Sequence, residues 1–301
     1  MLNLIRMNLY RMMKTKSLYI LILCAVSFCL LSSYMDRVDY IDIQSPKTEV
    51  IKETTAQEEM SGKDEATTGI TIEKAEEVDP ESGSFGIAVQ TPDKTDGKTP
   101  VFLEYFHAYL ASGFMLLFLI IGCALYVNGE NKCGYIKNIA GQTRHKSYIY
   151  ISKMITMAIY TAFFMLFYGL IHYIGLKLFL PYHLAFGKEY LSQSIKLLLV
   201  TFLLHTAFLS AIALLVTLFR STSVGITVGL LANFGFLTLF LPYLEKLFHV
   251  KIQKYLIMTN LQQLLLGASG KSIRQSIYVG GIFLLIYLLC GTAYFTKKDV
   301  V

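Results

Sequence analysis

Tryptophan is absent from the 301 residues, and charged side chains make up only 16% of them. A soluble domain carries about 25% charged residues. So few ionic groups cannot cover a water-facing surface, which excludes an ordinary soluble enzyme. Cysteine is scarce as well. The five present (Cys24, Cys29, Cys123, Cys133 and Cys290) all lie in or beside apolar runs, with no Cys-x-x-Cys and no paired His/Cys spacing. A disulfide framework and a zinc site are therefore not expected. What the chain does have is 54% hydrophobic residues and a mean hydropathy of +0.51. That is the composition of an integral membrane protein, and the expected fold class is all-α.

Six apolar stretches are long enough to span a bilayer, whose core needs ~20 helical residues. They are 18–35, 106–127, 148–176, 195–219, 224–243 and 277–295. The first is preceded by Arg6, Arg11, Lys14 and Lys16, as a signal peptide would be. No A-x-A-like cleavage site follows it and the run is long for an h-region, so it reads as a retained helix. Tyrosines sit near the ends of the runs, among them Tyr19, Tyr34, Tyr105, Tyr126, Tyr148, Tyr173, Tyr243, Tyr278 and Tyr294. Without tryptophan, they have to supply the interfacial belt.

The charges are segregated. Residues 36–100 hold sixteen acids against seven bases, a net of −9, while the rest of the chain nets +15. The 1–17 arm, the 128–147 connection and the 296–301 tail are basic and are expected on the cytoplasmic side, with the acidic 36–105 connection outside. This places both termini in the cytoplasm of a multi-pass cell-membrane protein, read as bacterial. The acidic connection has four of the six prolines and a single compact apolar cluster at 85–89, so it is expected to be largely disordered; a small folded domain is the alternative. The 244–276 connection breaks the charge rule, with Lys246, Lys251, Lys254, Lys271 and Arg274 against Glu245. It is also amphipathic, and re-entrant or interfacial helices are expected there on the outer face.

Arm 1–17 spaces Leu2, Ile5, Leu9, Met12 and Met13 against Arg6, Lys14 and Lys16, which suits a helix lying on the inner leaflet with its bases on anionic lipid. Either it contacts a partner protein or it is a topology signal. The 128–147 connection reads Glu130, then Gly134-Tyr135-Ile136-Lys137-Asn138, then Gly141 and Arg144, with Lys153 early in the third span. Glycines bracket a short segment of a turn or two of helix, suited to a groove on a soluble partner; an ordinary polar loop is the other reading. Intramembrane ionisable groups are functional candidates by default. Here these are His107, His172 and His205, either buried structural histidines or part of a transport path, and Lys153, expected to snorkel to the inner interface or meet the coupling region.

The succession of Glu130, Gly134, Lys137, the small residue Gly141, Arg144 and Lys153 resembles the coupling region of the type-2 ABC exporter permeases. So do the six spans, the amphipathic amino-terminal segment and the amphipathic connection before the last span. Gln142-Thr143 stands where many members of that family have proline before the arginine. The resemblance implies a permease subunit coupled through Glu130–Arg144 to a dimer of separate cytoplasmic ATPase subunits. It also implies a second permease copy or paralogue. ATP with magnesium would bind on the partner; no cofactor, metal or nucleic acid is expected on this chain, and it would not itself be an enzyme. Amphipathic or peptide-like cargo, as in antimicrobial or bacteriocin peptide export or immunity, is the first expectation.

Two other classes stand beside it. One is a membrane sensor or scaffold whose outer loop binds a ligand. The other is an intramembrane protease, because Gly267-Ala268-Ser269-Gly270 resembles the rhomboid G-x-S-G. All six histidines precede Ser269, however, which is the wrong order for that family. The same residues with Lys271-Ser272 give half a phosphate-binding loop, but Leu265 stands where its first glycine belongs.

Overall fold

A computed structural model describes residues 2–44, 101–132, 146–180, 184–248 and 252–297. Among these the chain is helical, and the only strand-like feature is an isolated bridge between Val101 and Ala185. The helices are α1 (Leu2–Lys14), α2 (Lys16–Gln44), α3 (Phe102–Ala111), α4 (Phe114–Lys132), α5 (Ser147–Phe179), α6 (Leu191–Phe219), α7 (Thr222–Asn233), α8 (Phe236–Phe248), α9 (Ile257–Gln262) and α10 (Gly270–Lys297). Four stretches, in α2, α5, α6 and α10, are long and apolar enough to cross a membrane. The number rises to six if each of the bent pairs α3/α4 and α7/α8 is one span.

Uninterrupted apolar sequence makes these helices, and glycine breaks two of them. Gly113 has φ +82° and Gly235 has φ +78°, the left-handed backbone in which glycine carries no Cβ penalty. α3 and α4 meet at 50°, α7 and α8 at 64°. Between α6 and α7 the connection is Arg220 and Ser221. Arg220 takes φ 52°, and the Ser221 hydroxyl accepts the Val224 N–H at 3.5 Å to cap α7.

Helices α5 and α6 form the centre. α2 packs along α5, α10 along α6 and α5, and α4 is held by α6 and α7. One end of the bundle gathers the Tyr150–Phe295 ring pair, Asn128 bonded to Thr222, and α1. α1 lies against α5 with Asn8 and Met12 buried, and Asn8 Nδ2 donates to Ser152 Oγ at 3.1 Å. The outward faces are apolar. Phe163, Leu166 and Leu170 on α5, and Ile282, Leu285 and Leu289 on α10, are all exposed. An apolar face repeating along whole helices is a surface for lipid, not for water.

Helix ends differ from the hydropathy boundaries in an informative way. α2 continues to Gln44, past the expected end at 35, and α3 starts at Phe102, before the expected start at 106. The polar residues in these extensions are compatible with helix. At the start of α3, the Phe102 N–H donates to Ala185 O at 2.8 Å, which anchors that end.

Residues 252–276 fold down onto the bundle. α9 buries Ile257, Met258, Asn260 and Leu261 against α3, α6 and α10. Side-chain amides clasp this turn. Asn260 Nδ2 donates to Lys254 O at 2.7 Å and Leu256 O at 2.8 Å, Gln275 Nε2 donates to Lys254 O at 2.9 Å, and Glu245 Oε1 accepts the Gln253 N–H at 2.6 Å. Replacing Asn260 by leucine removes two of these bonds and the acceptor of the buried Ser276 hydroxyl, which donates to Asn260 Oδ1 at 3.4 Å, a cost of about 1–3 kcal/mol. Limited trypsinolysis of the folded protein should then cut after exposed Lys254 several-fold faster than in the wild type. An unchanged cleavage rate would mean the clasp does not hold the turn.

Candidate functional site

Polar side chains buried in an apolar bundle are the place to look for function. They are concentrated at the end of the molecule opposite α1. Asp36, 3% exposed, sits on α2 facing the last turn of α3, where Tyr109 Oη donates to Asp36 Oδ2 at 2.8 Å. The Tyr109 ring meets His172 of α5 edge-on, with centroids 4.4 Å apart. On the other side of His172, its Nδ1 lies 3.3 Å from Ser33 Oγ. Ser33 gives its single proton to Cys29 O at 3.0 Å. The proton between Ser33 and His172 therefore belongs to the imidazole, and Nε2 is left as an acceptor. Close packing fixes the arrangement: a Cβ on Gly175, one turn after His172, would lie 2.7 Å from Ser33 Oγ.

His107 belongs to the same layer. Its Nε2 is 2.7 Å from Ser194 Oγ at the start of α6, and it connects to His172 through the stacked rings of Phe106 and Phe102. His205 does not join them. It lies on α6 eleven residues beyond Ser194, ~16 Å further along the helix axis, and donates from Nδ1 to Thr201 O at 2.8 Å. All three rings are 0% exposed, and His107 Nδ1, His172 Nε2 and His205 Nε2 have no hydrogen-bond partner among the described residues. Each histidine thus bonds one neighbour and holds a bare nitrogen in the interior.

The layer runs on into the helix breaks. Ser112 Oγ donates to Tyr109 O at 2.7 Å, and the next residue is Gly113, whose carbonyl accepts Asn233 Nδ2 at 3.2 Å. A band of polar contacts therefore crosses the bundle from Asp36 on α2, through Tyr109 and His172, to the end of α7. Among the described residues, no group of three His, Cys, Asp or Glu could hold a metal ion.

Lys153 is expected to snorkel to the inner interface or to meet the coupling region, and residues 133–145 of that region lie outside the described residues. Lys153 is 1% exposed, and its Nζ lies 4.9 Å from the Phe295 ring centroid, in cation–π range. Beside it, Arg11 of α1 stands 5.2 Å over the Tyr126 ring. Gly134, Tyr135, Ile136, Lys137, Asn138, Gly141 and Arg144, and the side chain of Glu130, lie outside the described residues. Ser269 has a structural job: it accepts the Ser272 N–H at 3.2 Å and caps α10.

Sequence reasoning finds the three histidines by their position inside apolar runs. It misses Asp36, taken as the first residue of the acidic connection, and the partners Ser33, Tyr109 and Ser194, which become neighbours only across separations of 139, 73 and 87 residues. It also misses Asn233, although Asn-Phe-Gly inside an apolar run is a break signal.

Residues 78–301 match the model of a family described as a protein of unknown function, DUF2705. No curated protein matches the chain.

Proposed function

This chain belongs to the DUF2705 family, and we propose that it is the membrane-spanning permease subunit of an ATP-driven exporter. The observation that carries this reading is the two bent helix pairs, taken as interrupted spans. Broken helices inside a bundle free backbone polar groups where a substrate route can form, and they supply the joints about which two halves of a transporter move. Two such breaks lie beside a buried layer of ionisable side chains, and the short α9 folds in over them. The sequence adds its resemblance to the type-2 ABC exporter permeases across the six-span layout, the amino-terminal amphipathic segment and the 130–144 connection.

On this reading both termini and the 128–147 connection face the cytoplasm of a bacterial cell, and two permease copies or paralogues form the pathway. A dimer of separate ATPase subunits binds ATP with magnesium and closes on hydrolysable nucleotide. The push reaches the permease through Glu130, Gly134–Asn138, Gly141 and Arg144, and enters the bundle near Lys153 and docked α1. Cargo is amphipathic or peptide-like, passing the layer of His107 and His172.

Affinity capture from gently solubilised native membranes, with co-purifying subunits identified by mass spectrometry, is the direct test. A stoichiometric ABC-type ATPase is the expected result. Its reproducible absence from intact, folded protein would shift the assignment to a membrane sensor or scaffold. Within a captured complex, Arg144→Ala should lower transport-coupled ATP hydrolysis by about tenfold or more, the scale of one charge-assisted contact, without loss of membrane insertion. Unchanged coupling would remove Arg144 from the transmission path.

A further inference from the structure

The two bent helix pairs are fastened to each other at their breaks. Asn233 is the last residue of α7, two positions before Gly235, and is 2% exposed. Its Nδ2 donates across to the carbonyl of Gly113, at the break between α3 and α4. That carbonyl is already satisfied within its own helix, accepting the Leu117 N–H at 3.1 Å. The Asn233 bond is therefore a second bond on an oxygen that does not need it. Contact is close: a Cβ on Gly113 would sit 2.6 Å from Asn233 Oδ1 and 3.2 Å from Met258 Cε. Glycine at 113 is required both by the backbone turn and by the amide pressed against it.

The amide itself is only half satisfied. Asn233 Oδ1 has no hydrogen-bond partner among the described residues. A buried amide with a bare acceptor is poor glue, because its desolvation is not recovered. Leucine would fill a similar volume but could make no bond to the Gly113 carbonyl. What the amide does have is a bond whose loss is inexpensive at both ends. When it separates, Gly113 O keeps Leu117, and both Nδ2 and Oδ1 become free to pair with water. Closed and open arrangements are thereby brought close in free energy, the condition for a two-state element.

We propose that Asn233 is a releasable latch between the two interrupted spans. Closed, it holds α3/α4 and α7/α8 at the angles seen here. Released, it lets both pairs re-angle about Gly113 and Gly235. Two features make these the moving parts. On one side, α9 and its clasp tie the turn after α8 to the start of α10, so Met258 moves against Gly113 with that unit. On the other, Ser112 links the break to Tyr109 and the Asp36–His172 layer. Release therefore loosens that layer's end nearest α7. The proposal rests on the geometry of the breaks and not on the transport assignment.

Hydrogen exchange read by mass spectrometry, on the full chain in lipid nanodiscs, tests it. In Asn233→Leu, amides of 113–117 and 234–238 should exchange about fivefold faster or more, as expected when one hydrogen bond restraining local opening is lost. The middle of α6 and α10 should be unaffected. Asn233→Ala should do the same, which guards against an effect of leucine's shape. Acceleration confined to 234–238 overturns the proposal, because the change then stays on α7/α8. Uniform acceleration across the chain overturns it too, since Asn233 would then be ordinary core. An unchanged pattern in both variants has the same meaning. None of these outcomes depends on whether an ATPase subunit is captured, so the latch and the transport assignment fail separately.

Discussion

Gly291→Val should detach α10 from α5. A Cβ at position 291 would fall directly on the Tyr150 ring, which is itself 0% exposed and wedged against Phe295 and the Tyr287 carbonyl. Overpacking in a rigid site costs about 1–3 kcal/mol and more when the backbone must shift. With a branched side chain here, a loss of about 3 kcal/mol or more is expected, equivalent to ~5 °C in thermal midpoint for a chain of this size. Fluorescence-detected gel filtration after heating in detergent reads it. The diagnostic step is the double variant. Tyr150→Ala removes the obstacle, so Gly291→Val with Tyr150→Ala should be more stable than the two separate losses add up to. Simple additivity would mean that α10 and α5 are not in contact at this point.

The second large effect is expected at the Asp36–Tyr109 pair. Tyr109→Phe deletes only the hydroxyl that donates to Asp36 Oδ2 at 2.8 Å. A buried carboxylate loses a bond of the kind worth about 1.5–3 kcal/mol, and the pair ties the upper turn of α2 to the end of α3. Asp36→Asn weakens the same contact from the other side. In a double-mutant cycle on thermal or detergent-induced unfolding, the combined variant should fall short of the sum of the single losses by about 1–2 kcal/mol. A coupling near zero would show that Asp36 is held by other contacts and that the polar band ends at Tyr109.

The spans were the legible part of this molecule. Mean hydropathy over 18–20 residues finds α2, α5, α6 and α10 because burial in lipid acts on the whole length of a helix. The same averaging hides the breaks. Ser112-Gly113 and Phe234-Gly235 are two residues each inside apolar runs, too few to lower a window, yet they turn the chain by 50° and 64°. Polar placement failed for a related reason. Asp36 was assigned to the acidic connection because free charges belong in water, and contacts such as the bond from Tyr109 reverse that preference. Those contacts depend on which helices are neighbours, which no local pattern encodes. The histidines were visible because one ionisable ring in an apolar run stands out, whereas Ser33 and Ser194 are too small and too common to do so. The amphipathic turn before the last helix was legible as unusual; its clasp of Asn260, Gln275 and Glu245 was not.

The bond between Asn8 and Ser152 has a consequence for biosynthesis. α1 is made before the surface it rests on, which is part of α5, 144 residues later. At ~5–20 residues per second, that delay amounts to roughly seven to thirty seconds of translation. During this interval, α2 has already been delivered to the bilayer, and α1 is joined to it through Thr15 alone. With α1 read as an inner-leaflet helix, the newborn segment waits at the lipid surface, its Arg6, Arg11 and Lys14 among headgroups and its Leu4, Leu9 and Met12 turned toward acyl chains. When α5 arrives, the face that served as a temporary anchor becomes a permanent contact. One amphipathic sequence thus carries out two successive tasks, and a substitution that weakens the first should lower yield without altering the finished protein.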